Sequence, residues 1–350
     1  MSAYDPKRTC CELASANNQI AFPQFAMYGV RQVLSENSSM DALINVVLPV
    51  FGIILTGYLA GYYGLLGPVS AAALNRFVFY FALPPALFIF VARAPIDKIF
   101  NWPFIGVILI GLILTLLIAL VAGRAWFHHD LPTLTVTGLA AVWGNGVYIG
   151  LPLLLTAYGP DAALPPIIVA VIQLLLFLST AIAILEARRT SGSPVHVASQ
   201  LFSTLLRNPL VIAPLLGILV SASQFQLPKA LTNYLDLMAA AVGPAALFSI
   251  GLSLVSRKLI GNLMEVIWLA TLRVFINPIL TLILVAYFFA LEPLWSKAAV
   301  ILSAMPVGAN PYVIAQQYDL HVETVSSAFI VSTAMSVATI FFLLIWLGPN

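Results

Sequence analysis

Two asparagines stand in short stretches rich in glycine and proline, at matching places in the two halves of the chain. Asn145 lies in the stretch 144–152, and Asn310 lies in the stretch 306–312. Both stretches interrupt apolar segments, and Gly and Pro cost roughly 1 and 3 kcal/mol in a helix interior, so each predicts a broken helix. The helix N-terminus after a break offers unpaired N–H groups and a partial positive charge, which suit a carboxylate. Freed carbonyl groups could bind Na⁺ or polar parts of a ligand.

The side chains around the two breaks are the candidate binding groups. Each asparagine can donate and accept a hydrogen bond, and Tyr148 and Tyr312 could wall the site. The alternative is that Gly and Pro only kink packed helices, since both are common in membrane helices. Two breaks in register, each beside an asparagine, favour the binding interpretation. The predicted binding residues are Asn145, Gly146, Tyr148, Pro152, Arg273, Pro306, Gly308, Asn310 and Pro311.

Three charged residues stand out inside the apolar segments, where an ionisable side chain is a functional candidate by default. Arg273 lies near the middle of its segment, so it could counter an anionic ligand or hold the carboxyl end of a broken helix. Arg76 and Asp236 lie nearer the segment ends, and for both we favour side chains that reach out to the membrane interface. Different depths in the membrane argue against a salt bridge between these two residues.

Other polar residues are weaker candidates for coupling transport to an ion, either H⁺ or Na⁺. Gln173 is a lone polar side chain in the middle of an apolar segment, and Ser332 and Thr333 cluster in the last one. For the Ser/Thr cluster, ordinary packing between helices is the favoured interpretation.

The histidines do not predict a metal site. His128 and His129 are adjacent, so their side chains point to different sides of a helix and make a poor metal pair. These two residues are interpreted as a solvated turn, and His321 as a loop residue. No acidic metal–diphosphate cluster and no phosphate-binding loop ending in Lys is found, so we predict neither an enzyme nor an ATP-driven pump, and no cofactor.

The composition sets the class of protein. Of 350 residues, 61% are hydrophobic and 8% are charged, which indicates an integral membrane protein. A net charge of +2 gives no sign of nucleic-acid binding. Cys10 and Cys11 are adjacent and cannot form a disulfide framework. Residues 1–40 are interpreted as a polar tail, either disordered or an upstream extension, with Met40 as an alternative translation start.

Ten apolar segments are long enough to be membrane spans, each needing about 20 mostly apolar residues. The linker 187–207 divides the chain into a first five-helix repeat, 41–186, and a second, 208–350. The predicted spans are about 42–61, 69–91, 103–123, 131–157, 162–185, 208–223, 229–255, 263–290, 295–318 and 323–347.

The two five-span halves repeat each other. Residues 84–88 read Pro-Pro-Ala-Leu-Phe, and residues 244–248 read Pro-Ala-Ala-Leu-Phe. Because each repeat has an odd number of spans, the second copy enters from the opposite face, so the repeats are inverted. The linker's face carries slightly more Lys and Arg in short loops than the other face, which predicts a cytoplasmic linker and external termini. The predicted fold class is an all-α integral membrane protein with ten transmembrane helices, broken and crossing at spans 4 and 9.

These motifs resemble a known family. Residues 74–77 with 83–88 resemble the second span of the auxin efflux carrier family, and residues 243–254 resemble its seventh. The Asn-containing break of span 4 and residues 305–311 of span 9 also match. The resemblance covers about residue 41 to the C-terminus.

The resemblance implies a ten-span inverted-repeat fold like that of bile-acid/sodium symporters. Spans 1, 2, 6 and 7 would form a scaffold, and spans 3–5 and 8–10 a transport domain that carries substrate by an elevator motion. Asn145 and Asn310 match the family's crossover asparagines. The short central loop is similar to that of bacterial members, for which malonate or another small carboxylate is expected, rather than the indole-3-acetate that plant members export.

We therefore predict a secondary transporter of small organic anions across a bacterial inner membrane. An anion gains about 2.3 kcal/mol per charge per 100 mV of membrane potential, so coupling to H⁺ or Na⁺ is not required. The alternatives are a sodium-coupled symporter of the bile-acid type, an anion channel and, least favoured, a membrane enzyme. The sequence does not determine the oligomeric state, and a homodimer is one alternative.

Overall fold

The computed structural model describes residues 36–189, 207–255 and 259–348, and these residues are helical with no named strand. The first helix begins at Glu36, a few residues before the boundary predicted at 41. Residues 1–35 of the predicted tail, including both cysteines, and residues 190–206 of the predicted linker lie outside the described residues.

The described helices follow the predicted apolar segments closely. Predicted spans 4 and 9 are each divided into two helices, α4 with α5 and α10 with α11. The helices are α1 Glu36–Tyr62, α2 Pro68–Ala92, α3 Trp102–Ala125, α4 Leu131–Val142, α5 Gly146–Tyr158, α6 Pro160–Arg188, α7 Pro209–Ser223, α8 Lys229–Val255, α9 Leu263–Tyr287, α10 Pro293–Ser303, α11 Asn310–Tyr318 and α12 Val322–Leu347.

Seven of these helices are long and apolar enough to cross a membrane, and α4, α5 and α7 are shorter apolar helices. The prediction of an all-helical integral membrane protein is confirmed. The number of spans and the inverted relation between the halves stay predictions.

Side-chain caps define where several helices begin. The Asn101 side chain accepts a hydrogen bond from Phe104 N at the start of α3, and the Asp130 side chain accepts one from Thr133 N at the start of α4. Such caps satisfy N–H groups that have no acceptor within the helix. The hydrogen bonds from Thr133 hold the pKa of the exposed Asp130 carboxyl below its usual value. Each cap therefore fixes the loop that precedes it.

The helices pack as two groups. In the first group, α8 packs on α1 and α2, and α7 packs on α2. In the second group, α3 packs on α4 and α9, α9 on α10 and α12, and α6 on α4 and α10. Helices α1 and α8 approach so closely that a Cβ on Gly57 or Gly251 would overlap the other backbone. The groups contain the same spans that the family resemblance assigns to a scaffold and a transport domain.

Asp236 has a partner that the sequence interpretation did not name, and its predicted reach to the membrane interface stays a prediction. Its carboxylate forms a bidentate salt bridge with Arg93 in the first group, at 2.7 and 2.8 Å. Both side chains are about half exposed, at 46% and 48%. The predicted absence of a pair between Asp236 and Arg76 agrees with this arrangement.

Candidate functional site: a helix crossover and its cavity

The broken segments cross and pair with each other. Residues between α4 and α5 run antiparallel to residues between α10 and α11, with Gly144 opposite Val307. Asn145 N donates to Pro306 O at 2.8 Å, and Gly308 N donates to Trp143 O at 2.9 Å. Without water in the bilayer core, unpaired backbone groups are costly, and this pairing satisfies several of them inside the protein.

Polar side chains from neighbouring helices complete the pairing. Ser332 Oγ accepts from Val307 N at 3.0 Å, and Gln173 Nε2 donates to Val142 O at 2.9 Å. Thr333 Oγ1 instead donates to Phe329 O of its own helix at 2.7 Å. Gln173 and Ser332 thus hold the crossover, and the ion-coupling role assigned to them and to Thr333 stays a prediction.

Arg273 lies behind the crossover, 1% exposed. Its guanidinium donates to Met305 O at 2.9 Å, to Leu302 O at 3.2 Å and to Val142 O at 3.5 Å. These carbonyl groups belong to the ends of α4 and α10, where the helix dipole is negative and favours a cation. The geometry favours the structural role of Arg273 over a contact with substrate.

Gly144 is required by this arginine. A Cβ on residue 144 would overlap the guanidinium of Arg273, so no other residue fits without moving the arginine. A Cβ on Gly146 would meet only Leu302 Cδ2 at 3.7 Å, an ordinary contact. The first glycine of the stretch is therefore needed for close approach, and the second is not.

A cavity of about 460 Å³ lies on the other side of the crossover, between the two helix groups. Its charged lining consists of Arg76 alone, and no Asp, Glu, Lys or His is among the described residues that line it. The polar lining residues are Asn75, Arg76, Asn145, Tyr148, Gln173, Ser253, Asn310 and Tyr312. A separate groove on the outer surface of α9 and α12 is lined by apolar side chains apart from Thr339, and it offers nothing to hold an anion.

The cavity contains some of the predicted site residues and not others. Four of them line it: Asn145, Tyr148, Gln173 and Asn310. The others do not line it, and most of them shape or support the crossover: Gly146, Pro152, Arg273, Pro306, Gly308, Pro311, Ser332 and Thr333. The sequence interpretation did not include Asn75 and Arg76, although a charge inside an apolar segment was the signal for Arg76.

Arg76 has no partner among the described residues. It is exposed within the cavity lining and makes no hydrogen bond or ion pair with any residue that the structure describes. Its side chain lines the cavity, and the expectation that it reaches for the membrane interface stays a prediction. Its neighbour Asn75 is held in place, because its amide oxygen accepts from Ser249 Oγ at 3.0 Å.

The two asparagines of the breaks have available side chains. The amides of Asn145 and Asn310 form no hydrogen bond to a described residue, and both reach the cavity. The first turns of α5 and α11 also line it, through Tyr148 and Tyr312. The cavity thus combines two amides, two helix N-termini and one guanidinium, which together provide donors and positive charge for an anion.

Comparisons with known proteins identify the family of the chain. Residues 42–344 match the sequence model of a family described as "Membrane transport protein". The chain is 29% identical over 302 residues to the "Putative malonate transporter" of Rhizobium meliloti, covering 86% of this chain and 94% of that protein. It is 24% identical to auxin efflux carrier component 8 of Arabidopsis thaliana, covering 85% and 95%. It is 26% identical to the lysosomal cholesterol signaling protein of Mus musculus, covering 88% of this chain and 38% of that protein.

Proposed function

Because the chain belongs to the membrane transport protein family that includes the auxin efflux carriers, we propose that it is a secondary active transporter of small organic anions. The substrate class is carboxylates, and the substrate binds in the cavity beside the crossover. The chain is a multi-pass membrane protein, and a bacterial inner membrane is the proposed location.

The observation that carries this proposal is the charge of the cavity. One guanidinium without a protein partner lies among uncharged donors, and no carboxylate among the described lining residues opposes it. Arg76 is exposed and its donors are unoccupied, so a substrate carboxylate could bind it without displacing a hydrogen bond to the described protein. A bidentate pair between guanidinium and carboxylate would also orient the substrate.

The size of the cavity supports a small substrate. A volume of about 460 Å³ lies in the lower part of the range for small-molecule sites. Malonate and auxin, which the names of two relatives mention, are both carboxylic acids. We propose a compact carboxylate such as malonate, held by Arg76 at one end and by Asn145 and Asn310 at the other.

The position of the cavity between the helix groups supports a proposal of alternating access. Asn75 and Arg76 belong to the first group, whereas Asn145 and Asn310 belong to the crossover in the second. We propose ten spans in two inverted repeats, with the second group sliding against the first as an elevator. Such a motion would carry the substrate away from Arg76 and open the site to the other side.

Counterflow in proteoliposomes tests the proposal. Vesicles loaded with unlabelled malonate should accumulate labelled malonate transiently and saturably, and Arg76→Gln should abolish this accumulation. Arg93→Gln is the matched control, because Arg93 is an exposed arginine that pairs with Asp236 outside the cavity. A linear flux without counterflow would indicate a channel, and a strict requirement for Na⁺ would favour the bile-acid type of symporter. Equal counterflow in both variants would refute the assignment of the site.

A further inference from the structure

Three ionisable side chains that are distant in the sequence meet at one edge of the second helix group. His129 precedes α4, Glu265 lies in the first turn of α9, and His321 precedes α12. His129 Nε2 lies 2.7 Å from Glu265 Oε1, and His321 Nε2 lies 2.8 Å from Glu265 Oε2. Each carboxylate oxygen thus faces one imidazole. Both histidines are loop residues, as the sequence interpretation predicted, and their contact with Glu265 was not predicted.

The carboxylate at the centre is buried. Glu265 is 2% exposed, while the side chains of His129 and His321 are 13% and 25% exposed. No Lys or Arg of the described chain forms an ion pair with it. A buried carboxylate needs hydrogen bonds or a compensating positive charge, and either the two imidazoles or a bound metal ion would supply them here.

The donor set fits a divalent transition metal. The ligand atoms of the three residues all lie within 4.8 Å of one another. Zn²⁺ binds imidazole nitrogens at about 2.0–2.1 Å and carboxylate oxygens at about 2.0–2.2 Å. Side-chain rotations that move the ligand atoms by about an ångström would therefore bring all three residues into coordination. Two imidazoles and one carboxylate are also a donor set that leaves a position open for water.

The backbone and the surrounding rings already orient the two imidazoles. His129 N donates to Gly123 O at 3.1 Å, and the His129 ring stacks on Phe127 at 5.8 Å. His321 has a φ of 54°, a left-handed conformation that few residues other than Gly adopt and that often marks a functional position. The two imidazole rings contact each other edge to face, with centroids 4.8 Å apart.

We propose that His129, Glu265 and His321 bind one divalent transition-metal ion of the Zn²⁺ type, with water completing the coordination. The ion joins the loop before α4, the start of α9 and the loop before α12. It therefore fastens three connections of the second helix group to one another, at a place distinct from the crossover cavity.

Metal binding by purified protein tests this site directly. The protein should carry a tag without histidine and be stripped with a chelator before titration with ZnCl₂ against a chromophoric competitor. We expect one Zn²⁺ per chain and a higher midpoint of thermal unfolding in detergent when Zn²⁺ is present. An absence of stoichiometric binding to the native sequence would overturn the proposal, whatever the variants do.

Variants locate the ion. His321→Asn tolerates the left-handed backbone while removing the imidazole, and Glu265→Gln keeps the shape of the carboxylate without its charge. Each should weaken Zn²⁺ binding by about a hundredfold and abolish the thermal shift, since removing a ligand costs at least as much as removing a residue that orients one. His128→Asn is the matched control, because His128 also has a positive φ of 55° but lies outside the cluster. Equal Zn²⁺ affinity in His321→Asn and the native protein would contradict the assignment.

A Co²⁺ spectrum gives a measurement that does not depend on a variant folding. Co²⁺ bound to two imidazoles, a carboxylate and water should give visible d–d absorption with the intensity of a four-coordinate ion, and Zn²⁺ should displace it. A weak spectrum like that of hexaaquo Co²⁺ would contradict the proposed ligand set.

Discussion

Arg273 and Arg76 both lie beside the crossover, yet their surroundings are opposite. Arg273 is buried behind the crossed segments, and its guanidinium contacts three backbone carbonyls. Arg76 lies in front of them in the cavity lining and contacts no described polar group. The arginine behind the crossover has its donors occupied by the protein, and the arginine in front has its donors available.

The role of a charged residue inside a membrane segment therefore depends on the groups that contact it, and not on its depth in the membrane. Arg273 neutralises the carboxyl ends of two helices, a role that needs no ligand. Arg76 has a charge that no described residue balances, so its donors are available to a ligand. Each prediction below tests one side of this comparison, from the largest expected effect to the smallest.

Replacing the buried arginine should have the largest effect. Arg273→Met keeps an unbranched apolar stem but removes the guanidinium and leaves several buried carbonyl groups without a donor, at roughly 1–3 kcal/mol each. We expect a loss of about 3 kcal/mol or more in stability and a clearly lower unfolding midpoint in detergent. The matched change Arg76→Met should alter stability by no more than about 0.5 kcal/mol. Similar unfolding midpoints for the two variants would contradict a structural role for Arg273 that Arg76 does not share.

Crowding the buried arginine should have the next largest effect. Gly144→Ala places a methyl group where the Arg273 guanidinium lies, and such overpacking costs about 1–3 kcal/mol. Gly146→Ala, two residues further on, meets only an ordinary contact and should leave the unfolding midpoint almost unchanged. Thermal unfolding of both variants checks this, and the opposite ranking would show that the crossover is held in another way.

On the cavity side, the effect should appear in binding instead of stability. Arg76→Gln removes a charge-assisted hydrogen bond of about 1.5–3 kcal/mol, which corresponds to roughly a 10- to 100-fold weaker affinity for malonate. Arg76→Lys keeps the charge and should retain a larger share of the affinity, although it loses the bidentate geometry. Isothermal titration of the purified variants measures both, and unchanged affinity in Arg76→Gln would remove this residue from the site.

The two asparagines should contribute less each. Asn145→Ala and Asn310→Ala each remove one uncharged hydrogen bond to substrate, worth about 0.5–1.5 kcal/mol, so affinity should fall by about two- to tenfold. Neither amide forms a hydrogen bond to a described residue, so both variants should fold, and we expect counterflow at malonate concentrations below the native Kd to fall by about the same factor as the affinity. Counterflow assays with folded protein check this. Native flux in both variants would show that the crossover asparagines do not contribute to transport.

The exposed salt bridge should matter least. Asp236→Asn removes the carboxylate partner of Arg93, and exposed pairs of this kind contribute about 1 kcal/mol or less. We expect a small decrease in stability that disappears at high salt, with no change in affinity for malonate. A decrease as large as that of Arg273→Met would show that partners alone do not decide the role of a charge.

The sequence predicts the helices and the breaks well for a physical reason. Apolar segments of membrane length and the local cost of Gly and Pro are properties of neighbouring residues, so the interruptions at 143–145 and 304–309 were expected. The family predicted from motifs is also confirmed by the match over residues 42–344. Asn145, Tyr148 and Asn310 were predicted as binding residues, and all three line the cavity.

The sequence could not predict contacts between distant residues. Whether Arg76 faces lipid or the cavity depends on how α2 packs against the crossover, and no local pattern decides this. Glu265 lies 136 residues from His129 and 56 residues from His321, so only the folded chain brings the three together. The occupied carbonyl partners of Arg273 likewise come from helices that the sequence does not place side by side.

The most direct measurement compares malonate with its neutral diamide, malonamide, by thermal shift of the purified native protein and of Arg76→Gln. The two compounds have the same carbon skeleton and similar size, and they differ in charge and in the N–H donors of the amides. If the cavity is a carboxylate site built around an unpaired guanidinium, malonate raises the native unfolding midpoint, malonamide does not, and Arg76→Gln loses the difference. Equal shifts with both compounds, or an unchanged malonate shift in Arg76→Gln, would contradict this account.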